Sequence, residues 1–123
     1  IGDDSPVIYL GHSAGAIRSI IAASQNLNAV AVLGLDLVDG QDSSNGNENF
    51  GTTYVADLTI PVWGLSGGLS QCNSFGNGLN VYLQATNGNN IGITEADHCD
   101  FEFPTNFLCT ILCQGTNALF SAS

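Results

Sequence analysis

Basic residues are almost missing from this chain. Arg18 stands alone against eleven carboxylates, for a formal net charge of −10 over 123 residues. With so little to neutralise phosphates, binding to nucleic acid or to an anionic membrane surface is disfavoured. No apolar run is long enough to span a bilayer and no signal-peptide pattern occurs, so an exported protein would carry its address upstream or have lost it. Internal repeats and domain-size linkers are missing too. The four cysteines contain no C-x2-C pair, which argues against zinc; neither a metal nor a cofactor is expected. Acidic residues have a gap of their own, with none between Asp57 and Glu95. What is present is a 44% hydrophobic composition, enough for one modest core in a single globular domain or part of one.

The organising stretch is Tyr9-Leu10-Gly11-His12-Ser13-Ala14-Gly15. β-formers from Pro6 to Leu10 run into a turn of small residues, and a helical pattern leaves it from Ala14 to Asn26, with Ile17, Ile20, Ile21 and Ser24 at helical spacing. Strand, sharp turn and helix with a serine at the apex make a nucleophile elbow, G-x-S-x-G, in which Gly11 and Gly15 are expected to keep strand and helix from colliding. Ala29 to Leu35 is a continuous apolar run, read as a parallel strand buried on both faces. Gln41 to Thr53 reads as a polar surface loop or lid. Ile60 to Ser66 is a third strand, Leu79 to Ala85 a short helix, Asn90 to Thr94 a fourth strand and Phe107 to Leu119 a closing helix. Strands alternating with helical connections predict an α/β fold with a parallel sheet, flanking helices and ligands beyond the strands' carboxyl ends.

At those ends stand candidates for nucleophilic catalysis. A serine hydroxyl needs a base to take its proton, and the base needs an acceptor to hold its tautomer. His12 leaves the elbow beside Ser13 and points away from the apex, so it is assigned a structural or pocket-lining, substrate-binding part. His98 is the other histidine and becomes the base. The acid's commonest station, after the strand following the next, falls in the loop from Gly67 to Gly78, which has no carboxylate. The alternative station follows the strand after the elbow helix. There Asp36 comes straight off the apolar run and is the favoured acid, while Asp39, ahead of Gly40, suits a turn and is the alternative. Asp97 and Asp100 flank His98 too closely to orient it and read as loop caps or solvated charges. The backbone N–H of Ala14, at a helix N-terminus, is one oxyanion donor. The second donor normally comes from a loop well upstream of the elbow, and an elbow strand is usually central in a larger sheet. Residues 1–123 are therefore expected to be the C-terminal part of one domain, whose N-terminal half lies outside this chain or on a preceding one.

Cys72, Cys99, Cys109 and Cys113 lie in the last 52 residues, an even set suggesting two disulfides and an exported protein. Three pairings are possible. Cys109 and Cys113 are one helical turn apart with parallel side chains, so each is expected to pair with Cys72 or Cys99.

Taken together, Gly11-His12-Ser13-Ala14-Gly15, Leu35-Asp36-Leu37-Val38-Asp39-Gly40, Ile60-Pro61-Val62 and Asp97-His98-Cys99-Asp100-Phe101 resemble the α/β-hydrolases. They are most similar to the chlorophyllase-like and polyester-hydrolase-like branch, which carries G-H-S-x-G-G and L-D-P-V-D-G; here Ala16 replaces the second glycine and Leu37 the proline. The cysteine set resembles that of exported microbial or algal hydrolases. The resemblance implies a secreted serine carboxylic ester hydrolase acting on a small or polymeric ester through an acyl-enzyme. Ser13 would be nucleophile, His98 base, and Asp36 or Asp39 the orienting acid. A catalytically silent binding or interaction module of the same fold is the alternative.

Overall fold

The computed structural model describes residues 3–42, 48–102, 104, 107–109 and 111–113. Strand β1 (Val7–His12) enters helix α1 (Ala14–Ser24), which crosses back to β2 (Ala29–Leu35). A two-residue antiparallel pair, β3 (Gln41–Asp42) and β4 (Glu48–Asn49), precedes α2 (Phe50–Val55). Strand β5 (Val62–Ser66), helix α3 (Leu79–Gln84) and strand β6 (Gly88–Gly92) complete a four-stranded sheet in the order β1-β2-β5-β6. Every pairing in it is parallel, as each helical crossover requires. The expected parallel sheet with its helical connections is therefore present.

The helices share one face of that sheet. Register partners Val32 and Val62 are buried there against Ala16, Ile17 and Ile20 of α1, Val55 of α2 and Val81 of α3. The buried stripe of α1 is Ala16, Ile17, Ser19, Ile20 and Ala23; Ser24, expected on the packed face, is exposed. Gly34 and Gly64 are also register partners, and a Cβ on either would lie within 2.5 Å of Tyr82 atoms. Two glycines side by side make a notch in the sheet, and the Tyr82 ring fills it.

The opposite face corrects the expectation of a strand covered on both sides. Among the described residues nothing packs over Ile8, Leu10 and Trp63, which are 68%, 60% and 51% exposed. Leu10 pairs with Leu33 and Leu33 with Trp63, so these side chains form one apolar row across three strands. Continuous apolarity in β2 thus reflects two apolar faces, only one of which is covered by this segment.

The polar stretch after Gly40 is also more structured than expected, since α2 begins at Phe50 inside it. Its amide at Gly51 donates to the Asp39 carboxylate at 2.7 Å, and Gly51 and Val55 are buried. A side chain remote in sequence therefore supplies the acceptor that a six-residue helix needs at its start. Strand β6 begins two residues earlier than expected. Residues 107–109 and 111–113 are helical, in line with a closing helix; its continuation to Leu119 lies outside the described residues.

Candidate active site

The elbow is held by strain and by close approach. Ser13 sits at φ 55°, a conformation that non-glycine residues rarely adopt. A Cβ on Gly11 would come within 2.4 Å of the Gly15 carbonyl oxygen and 2.6 Å of the Ala16 nitrogen. Gly11 therefore lets β1 pass directly under the first turn of α1. Gly15 does not share that duty, contrary to expectation, because a Cβ there meets nothing within 4 Å. Strand and helix touch through the backbone of residue 15, and its own side-chain position points outward. The Ser13 hydroxyl makes no capping hydrogen bond to α1. Ala14 opens α1, so its N–H has no acceptor within the helix.

The strand ends are tied in succession. Ser13 N–H donates to Leu35 O at 2.9 Å and Val38 N–H to Ser13 O at 3.3 Å, so the elbow is gripped from both sides of Asp36. Asp36 N–H donates to Leu65 O at 2.7 Å, and Ile93 N–H to Ser66 O at 2.7 Å. Asp36 itself has φ 41°, a second strained non-glycine residue at a strand's carboxyl end. That conformation turns its side chain across the sheet instead of along β2.

Asp36 and His98 are brought together. His98 Nδ1 lies 2.6 Å from Asp36 Oδ2, with both side chains buried. The other carboxylate oxygen accepts from the Gly67 amide at 2.8 Å and faces the Asn73 side-chain amide at 3.4 Å. Burial pushes the Asp36 carboxyl upward, but the His98 and Gly67 hydrogen bonds, the histidine's charge and Asn73 outweigh it, leaving the group below its ordinary value. Asp39 is kept apart from His98. It is buried beneath α2, and burial raises its carboxyl despite backbone amides from Gly51, Thr52 and Gly40.

Asn73 was not foreseen. Only 1% exposed, it accepts from the amides of Ser70 and Gly76 and donates to Gly68 O, folding residues 67–78 around one side chain. That loop delivers the Gly67 amide to Asp36. Tyr82 is also in play from the notch below, and burial together with the Asp36 charge raises its hydroxyl well above the ordinary value. Asp36, Ser66, Leu69, Leu79 and Tyr82 line a small cavity here.

His98 opens a 3-10 turn, His98–Phe101, whose start is closed by a reciprocal capping box between Asp97 and Asp100, the capping part expected for both. His12 lies against the histidine turn. Its ring packs 4.6 Å from the His98 ring, with Nε2 2.9 Å from the His98 carbonyl oxygen and Nδ1 3.3 Å from Glu102 Oε1. Among the described residues no hydrogen bond joins Ser13 Oγ to His98; the elbow meets the histidine turn through the His12 ring.

No family model matches the chain, and no curated protein does. Among solved structures it is similar to the esterase domain of a Rhodothermus marinus protein, with TM-score 0.61 and 16% identity over 76% of this chain and 51% of that one. It is also similar to a protein of Klebsiella pneumoniae subsp. pneumoniae described as a dienelactone hydrolase, with TM-score 0.56 and 18% identity over 93% of this chain and 50% of that one. The fold is that of the α/β-hydrolases. The chain spans about half the length of the solved structures it matches.

Within this α/β-hydrolase fold, two disulfides frame the histidine and the Asn73 loop. Cys99, next to His98, pairs with Cys109, and Cys72, next to Asn73, pairs with Cys113. Both pairings follow the expectation that Cys109 and Cys113 each reach a cysteine outside their helix. Such bridges suit an oxidising compartment. No described helix is long and apolar enough to cross a membrane.

Proposed function

We propose that this α/β-hydrolase fold carries a serine hydrolase site that cleaves carboxylic esters through an acyl-enzyme. The observation that supports it most is the 2.6 Å contact between His98 Nδ1 and Asp36, at the same sheet edge as the strained Ser13 elbow. The acceptor on Nδ1 places the remaining lone pair on Nε2, the atom a general base needs. In this reading His98 Nε2 takes the Ser13 proton as Oγ attacks the ester carbonyl carbon. The tetrahedral oxyanion is received by the Ala14 amide, and the proton passes to the leaving alcohol as the acyl-enzyme forms. Water then repeats the sequence and releases the acid. Hydrogen bonds between nucleophile and base are often long before substrate arrives and tighten in the complex.

We place the 123 residues in the C-terminal part of the domain. The uncovered apolar row of Ile8, Leu10, Leu33 and Trp63 and the free edge of β1 fit a layer supplied by an N-terminal half, which would also bring the second oxyanion donor. The G-H-S-x-G and L-D-x-V-D-G pair supports the chlorophyllase-like and polyester-hydrolase-like branch, with a small or polymeric ester as substrate. The disulfides support a secreted protein, and the net charge of −10 supports an uncharged or cationic partner over nucleic acid.

Pre-steady-state hydrolysis of a p-nitrophenyl ester by the full-length protein tests the reading. A burst of p-nitrophenol is expected, absent in Ser13→Ala. Turnover that persists in Ser13→Ala would overturn the assignment, and a wild-type protein without turnover on any ester would favour a binding module.

A further inference from the structure

Of the structural and pocket-lining parts open to His12, its surroundings favour the structural one. Period-2 alternation puts His12 on the face of β1 that carries Ile8 and Leu10, away from α1. From there the ring reaches beneath the histidine turn and meets both its ends. Nε2 faces the His98 carbonyl oxygen at 2.9 Å, and Nδ1 faces Glu102 Oε1 at 3.3 Å. A carbonyl can only accept, so in this contact Nε2 carries a proton and donates to His98. The His12 and His98 rings pack at a tilt of 38° with centroids 4.6 Å apart.

We infer that His12 is a positioning residue: it sets the height of His98 over Ser13 by a hydrogen bond from the residue preceding the nucleophile to the backbone of the base. Asp36 fixes which way the His98 ring points, and the Cys99–Cys109 bridge anchors the far side of the turn. Asp36 ties the turn to the elbow indirectly, through the backbone bonds of Leu35 and Val38 with Ser13. The His12 contact does so through a single side chain next to Ser13, so displacement of one partner carries the other with it. Its kinetic consequence rests on the serine hydrolase reading; its structural consequence does not.

The test compares His12→Ala and His12→Gln with wild type in the full-length protein, Gln offering an N–H donor near the position of Nε2. Amide hydrogen exchange reads the turn directly, at Asp100 and Glu102, whose amides donate to Asp97 O and Cys99 O. In His12→Ala, exchange at these amides should accelerate about ten-fold while the α1 and β2 amides keep their protection, as local opening demands. Ester turnover should show kcat reduced by about 10- to 100-fold with KM within about two-fold, since small misplacement of a catalytic group costs that much. His12→Gln should restore most of both. The inference is overturned by unchanged exchange in His12→Ala, by failure of Gln to restore in a protein with wild-type near-UV circular dichroism, or by a raised KM at constant kcat, which would make His12 a substrate contact. If His12→Ala does not fold, His12→Gln decides alone: wild-type exchange and kcat support the brace, and accelerated exchange with lost kcat overturns it. Should Ser13→Ala retain full turnover, the hydrolase reading falls separately and the exchange data still decide the brace.

Discussion

A methyl group at position 11 and one at position 15 differ by a single turn of chain and should have opposite effects. At Gly11 the added Cβ lies 2.4 Å from the Gly15 carbonyl oxygen, 2.5 Å from its carbonyl carbon and 2.6 Å from the Ala16 nitrogen. All three are backbone atoms at the N-terminus of α1, so no rotamer change relieves the overlap. Either α1 lifts from β1 or the strand bends away. Overpacking a core costs about 1–3 kcal/mol even when side chains can give way. A rigid backbone neighbour puts Gly11→Ala at the upper end, about 3 kcal/mol, a large share of a typical domain's stability. At Gly15 a Cβ meets nothing within 4 Å, and alanine is the better helix former by about 1 kcal/mol in a helix interior and by less in the first turn. Gly15→Ala should leave stability unchanged or raise it by up to about 1 kcal/mol. Urea denaturation of the full-length protein followed by circular dichroism gives both numbers from the midpoint and slope. Equal midpoints for the two variants, or a larger loss in Gly15→Ala, would refute the account of the elbow.

Other consequences are as specific. Asp36→Asn should lower kcat by about 10⁴-fold, as replacement of a triad acid does, and Asp39→Asn should change it by less than about two-fold, with steady-state ester kinetics as the check. The two aspartates should also pull stability in opposite directions with pH. The folded Asp36 carboxyl lies below its unfolded value, so its contribution is present above about pH 4 and is lost as pH falls through the folded value. The folded Asp39 carboxyl lies above its unfolded value, so stability falls as pH rises from about 4 through the folded value. Thermal melts of Asp39→Asn against wild type should therefore shift in the variant's favour between pH 3 and pH 7. Reduction of the Cys72–Cys113 and Cys99–Cys109 bridges should cost about 2–5 kcal/mol per bridge, read as a lowered denaturation midpoint with dithiothreitol.

How much of this was legible in the sequence follows from how local each signal is. The elbow was readable because strand, small-residue turn and helix adjoin in the chain, and Asp36 because a rigid strand ends there. His98 was singled out by elimination, and helical spacing separated Cys109 from Cys113 while leaving open which of Cys72 and Cys99 each would join. Asn73 and the Gly67 amide carry no such mark. Their value comes from a loop folding on itself beside Asp36, a contact 31 residues distant for Gly67 and 37 for Asn73. Helix α2 was hidden for the same reason, its first amides being satisfied by Asp39, twelve residues upstream of Gly51. Gly15 was over-read because a motif shows which residues are small and not which face touches. In β2, an apolar run gives both faces equal weight, and only the helix positions reveal that one is uncovered.

The most direct measurement is the site of covalent attachment. A fluorophosphonate incubated with the full-length protein should add one phosphonyl group, and peptide mass spectrometry should place it on Ser13. The adduct should be lost in Ser13→Ala and form at least about 10³-fold more slowly in His98→Ala, the loss expected when a triad base is removed. An adduct on any other residue, or one that forms unchanged without Ser13, would contradict the account.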